Sequence, residues 1–265
     1  MIARLRYLFA LVGLAAWTVV LAPVQWLFLR LWPRGAARLP VLYHRGVACL
    51  IGMRIHVRGR LAERRPLLVV ANHVSWLDIV VLSAVAPVSF VAKHEMITWP
   101  LFGWLARAQR TVFVDRTDRR GVATQTRAIA DRLEAGDAIV LFAEGTTSDG
   151  NGVLAFNPSL FGAAALLAGE RRSGENGHVA VQPAALRYAR SQGLPLARQH
   201  MPLVGWPGEI GIAPSLHAVL LDAAIDVEVH LLAPVTFGPA TRRRDVAERT
   251  RLAIRRARHL SGSLP

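Results

Sequence analysis

The chain has 265 residues, 52% of them hydrophobic, and a formal net charge of +14. That length supports one substantial core, or one core with a small appendage. Its mean hydropathy of +0.31 is high for a soluble enzyme and low for a multi-span transporter. A basic, apolar protein is drawn to nucleic acid or to an anionic membrane surface. The single cysteine, Cys49, excludes an intrachain disulfide, and no paired Cys/His spacing points to zinc.

Residues Tyr7 to Leu29 are apolar except for Thr18 and Gln25, which meets the requirement of about 20 residues for a bilayer span. Pro23 is expected to kink this segment. Arg4 and Arg6 precede it, and Arg30, Arg34 and Arg38 follow it. A second apolar stretch, Leu39 to Met53, is broken by His44 and Arg45 and reads as an interfacial helix. Cys49 falls here and is expected to be a small core or lipid-facing residue. Residues 1–53 therefore read as membrane-anchoring helices, as a span or as a hairpin dipping into one leaflet. A cleaved signal peptide is the alternative, although Leu21-Ala22 makes a poor cleavage site.

From Arg54 onward strand and helix patterns alternate. Strands are predicted at Arg54–Arg58, Leu67–Ala71, Val88–Ala92, Thr111–Val114, Ala138–Phe142, Val179–Leu186 and Ile225–Leu232. Helices are predicted at Trp76–Val85, Leu101–Ala108, Arg119–Glu134, Leu160–Leu167 and Arg242–Leu260. Gly150 to Gly152 and Ser173 to Gly177 read as loops. Such alternation over residues 54–265 predicts an α/β domain with a mostly parallel central sheet flanked by helices.

Four strand ends carry chemistry. The first is Asn72-His73-Val74-Ser75-Trp76-Leu77-Asp78. A histidine can take a proton from a hydroxyl, and a carboxylate can orient it. Two helical residues five apart point about 140° away from each other, so the pair meets only if His73 lies in the loop and Asp78 in the first helical turn. Ser75 is the expected N-cap, with the helix starting at Trp76. Asp78 read by itself is equally a helix-capping acid. The second strand end, Phe90-Val91-Ala92-Lys93, carries the chain's one lysine, a point charge for an anion or a solvated loop residue. At the third, Asp115-Arg116 is either an anion clamp or a surface pair. The fourth, Glu144-Gly145-Thr146-Thr147-Ser148, offers backbone N–H groups and hydroxyls where open α/β sheets place ligands, or is a plain strand exit.

Taken together these blocks resemble the glycerolipid acyltransferase family, which includes the 1-acylglycerol-3-phosphate (PlsC-like) acyltransferases. The family's NHxSxxD, FxDR, EGTxS and apolar proline-containing blocks are matched in order by Asn72–Asp78, Phe113–Arg116, Glu144–Ser148 and Val181-Gln182-Pro183-Ala184. The resemblance implies that His73 is a general base on an acceptor hydroxyl and that Asp78 holds its tautomer. Lys93, Arg116, Glu144, Gly145, Thr146, Thr147 and Ser148 would hold the anionic head of the acceptor. It further implies a thioester donor, acyl-CoA or acyl-carrier protein, and no cofactor or metal. No acyl-enzyme is expected, since there is no GxSxG elbow. Trp99, Phe102 and Trp104 would wall an acyl groove or pack in the core.

Many relatives carry FPEGTRS, where this chain has Ala143 for the proline and Thr147 for the arginine. Phosphatidic acid synthesis from 1-acyl-sn-glycerol 3-phosphate is the expected reaction, as the family's commonest assignment. Glu144–Asn151, Arg198-Gln199-His200 and Pro214-Ser215-Leu216-His217 are similar to bacterial lyso-ornithine-lipid acyltransferases, which makes that acceptor the alternative. The resemblance implies a bacterial inner-membrane protein with its catalytic domain facing the cytoplasm. Arg242 to Leu260 holds eight arginines, read as attraction to anionic lipid or as a solvated helix. A nucleic-acid-binding protein driven by charge would need basic–aromatic motifs that the chain lacks. A non-catalytic lipid-binding relative is the remaining class, opposed by the intact His73, Asp78 and Glu144.

Overall fold

A computed structural model describes residues 2–115, 118, 120–170, 178–206, 212–222 and 224–260. The chain opens with α1 (Ile2–Leu31) and α2 (Pro33–Leu50). Helix α1 runs unbroken through Pro23. Trp17 Nε1 donates to Tyr43 O at 3.0 Å, Thr18 bonds Tyr43 Oη at 3.0 Å, and Gln25 Nε2 donates to Ala36 O at 2.9 Å. These partners run in opposite directions, so the two helices form an antiparallel hairpin. Gly46 permits the close approach, since a Cβ there would lie 2.3 Å from the Trp17 indole nitrogen. Among the described residues, α1 is the one helix long and apolar enough to cross a membrane. Leu5, Phe9, Val12, Val19 and Val20 stand exposed along it. Cys49 is exposed as well.

After the hairpin come β1 (Met53–Arg58), β2 (Leu67–Ala71), α3 (Leu77–Val85), β3 (Ser89–Lys93), α4 (Phe102–Ala108), β4 (Val112–Val114), α5 (Val122–Glu134) and β5 (Ala138–Phe142). Then follow α6 (Gly162–Glu170), β6 (Val179–Ser191), β7 (Leu194–Pro195), α7 (Ile212–Asp222), β8 (Ile225–Leu231), β9 (Val235–Phe237) and α8 (Arg243–Leu260). The main sheet order is β1-β8-β6-β2-β5-β3-β4, with β7 and β9 added along β6. Strand β2 runs parallel to both β5 and β6, and β3 runs parallel to β5 and β4. Strand β8 is antiparallel to β6 and parallel to β1, so the reversal is confined to one side of the sheet.

Alternate residues of β2 point into different cores. Leu67, Val69 and Ala71 join Val47, Leu77, Val81 and Val219 from α2, α3 and α7. Leu68 and Val70 join Leu133, Leu167, Val246 and Ile254 from α5, α6 and α8. With helices on both faces, β2 and β5 are buried at every residue. That burial is why both strands read as continuous apolar runs rather than as alternating patterns.

The α/β architecture and all seven predicted strands are present, with shifted boundaries. The strand begun at Val179 extends to Ser191, because its later half pairs with β8 as well. The interfacial segment is longer than Leu39 to Met53: α2 begins at Pro33, and Met53 opens β1 instead. Helix α7 and strands β7 and β9 went unpredicted. The predicted loop Ser173 to Gly177 and the start of the helix at Arg119 lie outside the described residues.

Candidate active site

The apolar strand β2 delivers Asn72 at its carboxyl end. The Asn72 amide donates to Leu186 O at 3.1 Å and accepts from Leu186 N at 2.8 Å. It thus continues the β2–β6 ladder by one rung and fixes where the next residue begins. His73 follows in the loop, before α3. Its Nδ1 lies 2.8 Å from Asp78 Oδ2. A carboxylate only accepts, so Nδ1 carries the proton and Nε2 keeps its lone pair.

Asp78 is fully buried. Its Oδ2 also accepts from Val74 N at 2.6 Å and Ser75 N at 2.9 Å, and its Oδ1 accepts from Tyr188 Oη at 2.7 Å. Four donors compensate the desolvation of one carboxylate. Asp78, in the first turn of α3, thus orients the histidine and ties down the loop before the helix, and it makes no helix-capping bond. The expected cap is corrected. Helix α3 begins at Leu77, and Ser75 makes no side-chain capping bond. The Ser75 hydroxyl is buried without a partner, and the first helical N–H groups, Asp78 N and Ile79 N, are bonded by the carbonyls of Ser75 and Trp76 instead.

On the neighbouring strand, β5 ends in Phe142, whose ring stacks on the His73 imidazole. The chain then turns sharply, with Gly145 at φ +75° and its N–H donating to Phe142 O at 3.1 Å. This left-handed backbone favours glycine. Glu144 Oε1 accepts from His73 N at 3.3 Å. Ser148 donates to His73 O from both its N–H, at 2.8 Å, and its hydroxyl, at 3.0 Å. The turn therefore grips both backbone groups of the histidine. Burial pushes the Glu144 carboxyl up to about 7. The N–H groups of His73 and Leu154 and the charge of Arg258 oppose that rise, whereas the charge of Asp78 adds to it.

A cavity of about 660 Å³ opens at His73 and runs between the sheet and the helical hairpin. Lys93, Gly145, Thr146 and Thr147 line it, as do Trp99, Phe102 and Trp104. Glu144 and Ser148 are turned towards the His73 backbone and do not line the cavity. Thr147 donates its hydroxyl to Trp206 O. Trp206 N donates to Val74 O at 2.9 Å, so Trp206 is tied at the cavity wall to the turns after both β2 and β5. Arg116 lies outside the described residues, although its neighbour Asp115 lines the same cavity. Gln182 of the fourth block is structural. Its amide holds Arg60 O, Leu232 O and Ala62 N, stitching the β1–β2 connection to β6.

Tyr188, Phe142, Trp206 and Arg258 were missed by sequence reasoning. Tyr188 lies two residues beyond the predicted end of its strand. Its one usable signal is a phenol on a strand-like stretch, since a buried Tyr hydroxyl needs a partner. Burial, and then the charge of Asp78, push its pKa well above the ordinary value, so it remains a donor.

Fold and site together define an α/β transferase with a histidine–aspartate pair at the mouth of an apolar cavity. The family described as Acyltransferase matches residues 53–187. The chain is 49% identical over 247 residues to the lyso-ornithine lipid O-acyltransferase of Brucella abortus, covering 93% of this chain and 91% of that protein. It is 38% identical over 177 residues to the 1-acyl-sn-glycerol-3-phosphate acyltransferase of Neisseria meningitidis, covering 66% of this chain and 65% of that one. The crystal structure of the 1-acyl-sn-glycerophosphate acyltransferase PlsC from Thermotoga maritima shares the fold, with a TM-score of 0.65 at 19% identity over 99% of both chains. The chain belongs to the acyltransferase family.

Proposed function

We propose that the protein moves an acyl chain from a thioester donor, acyl-CoA or acyl-carrier protein, to the free hydroxyl of a lysolipid. The observation that carries this reading is the His73–Asp78 contact of 2.8 Å, which leaves Nε2 as the base beside an apolar cavity. Nε2 takes the hydroxyl proton as the oxygen attacks the thioester carbonyl. The imidazolium, stabilised by Asp78, then returns that proton to the departing thiolate. General-base help of this kind contributes about 10²–10⁴-fold. Lys93, Gly145, Thr146 and Thr147, which line the cavity, face the acceptor, and Arg116 is assigned there by family resemblance. Glu144 and Ser148 hold the base in place.

Two acceptors are supported. The Neisseria relative and the family's commonest assignment support 1-acyl-sn-glycerol 3-phosphate. The higher identity and coverage of the Brucella relative favour lyso-ornithine lipid. A specific feature agrees with the latter. Lys93, Glu95 and Asp115 line the cavity together, a mixed-sign set suited to an amino-acid head carrying a carboxylate and an ammonium.

The exposed apolar side of α1 and the charge of +14 support attachment to an anionic membrane, and the family resemblance supports the bacterial inner membrane with the catalytic domain on the cytoplasmic side. The deciding experiment offers purified protein a labelled acyl thioester with both lysolipids in competition. Transfer to either one, abolished in His73→Ala with vesicle binding retained, supports the mechanism. Full transfer by His73→Ala refutes it.

A further inference from the structure

Helix α8 lies beyond the matched residues 53–187, and its arginines read from sequence as a lipid-facing or solvated set. Arg249, Arg255 and Arg256 are indeed exposed. Arg258 differs. Its guanidinium turns inward and donates to Gly152 O, and to Gly150 O at 2.5 Å. Gly150 N donates to Ser148 Oγ at 3.3 Å, and Ser148 Oγ donates to His73 O at 3.0 Å. One hydrogen-bonded path thus links the C-terminal helix to the histidine backbone.

The loop is pinned from its other side as well. Gly150 has φ +74°, and a Cβ there would lie 2.2 Å from Met201 Cε and 2.9 Å from Val74 Cγ1. A larger residue would be strained in this left-handed backbone and would press on Val74 and Met201, and the loop carbonyls face α8. Burial lowers the Arg258 pKa, while the charges of Glu144, Asp78 and Asp149 favour its cation and Arg187 opposes it. Its side chain therefore reaches the histidine through the two loop carbonyls it holds.

The structure assigns Arg258 as a positioning residue for the catalytic histidine, acting through the Ser148–Gly152 loop. This rests on the acyl-transfer reading of His73. It makes α8 part of the catalytic apparatus, and not solely a basic surface.

The test compares full-length Arg258→Ala and Arg258→Lys with the native protein in steady-state acyl transfer and in amide hydrogen exchange. In Arg258→Ala, kcat is expected to fall about 10- to 100-fold, the cost of a slightly displaced catalytic group. The KM values for donor and acceptor should stay within about twofold, since no substrate contact is lost. Exchange should quicken across 73–74 and 148–152 while β5 and β8 stay protected. Added guanidinium ion should restore part of the turnover, and Arg258→Lys should fall between the two. A kcat within about twofold of native in both variants overturns the assignment. So does a loss matched by loosening of the whole sheet with no guanidinium rescue. If the native protein transfers acyl to neither lysolipid, the acyl-transfer reading fails, and the exchange data still decide whether Arg258 holds the histidine loop.

Discussion

The imidazole of His73 lies flat on the ring of Phe142, with centroids 3.8 Å apart and planes inclined by 11°. The two residues leave adjacent strands, β2 and β5, whose register pairs Ala71 with Phe142. The stack fixes the plane of the imidazole, and Asp78 fixes its rotation within that plane. Together they aim Nε2.

Phe142→Leu keeps an apolar side chain of reduced size and removes the stack. Turnover should fall about tenfold from the loosened ring, as expected for a small misplacement of a reacting group. The folding cost should be modest, about 1–2 kcal/mol, typical of a single core substitution. Steady-state kinetics beside a melting curve separates the two effects. Unchanged kcat would show that Asp78 alone suffices to aim the ring.

Tyr188→Phe removes one donor from Asp78 and leaves His73, Val74 N and Ser75 N. A hydrogen bond to a charged group contributes about 1.5–3 kcal/mol, so stability should drop by an amount of that order. Held by three donors instead of four, the carboxylate orients His73 less firmly, so kcat should fall about tenfold while KM stays within about twofold. An unchanged kcat would make Tyr188 a packing residue only.

Glu144 supplies a pH signature. Its carboxyl is pushed up to about 7 in the fold from 4.5. Between those values the unfolded chain releases this proton while the folded chain retains it, so stability declines as pH rises from about 4.5 to 7. A shift of that size corresponds to roughly 3 kcal/mol. Glu144→Gln should flatten this part of the stability–pH curve in denaturant titrations at several pH values. Parallel curves for the two proteins would contradict the assignment.

Thr147→Arg breaks the bond to Trp206 O and adds a cation to the cavity wall. The ratio of turnover on 1-acyl-sn-glycerol 3-phosphate to turnover on lyso-ornithine lipid should rise, by about tenfold if one charge–phosphate contact of some 1.4 kcal/mol forms. An unchanged ratio would place head-group selection elsewhere.

Much of this protein was legible in its sequence. The buried strands Leu67–Ala71 and Ala138–Phe142 were readable because burial on both faces demands unbroken apolar runs. The turns after them stood out only in company, because each read alone is equally a helix-capping or strand-exit segment, and four chemistry-bearing strand ends fall in order along the chain. Ser75 misled, since a serine before a helix is a good cap in isolation, and only the fold shows the helix starting without a side-chain cap while Asp78 holds the loop before it. Boundaries moved where pairing with a distant strand decided them, as in β6.

By itself the sequence determined the fold class, because strand periodicity is a local property of the chain, and its ordered motif blocks carried the family resemblance that singled out His73 and Asp78. Only the tertiary structure decided what holds the pair. Phe142, Ser148, Tyr188 and Arg258 lie 69 to 185 residues beyond His73. Their contacts arise from sheet register and helix packing, which leave no local trace in composition or spacing. The sequence showed an arginine-rich terminal helix, and the fold turned one of those arginines inward to the loop behind the histidine.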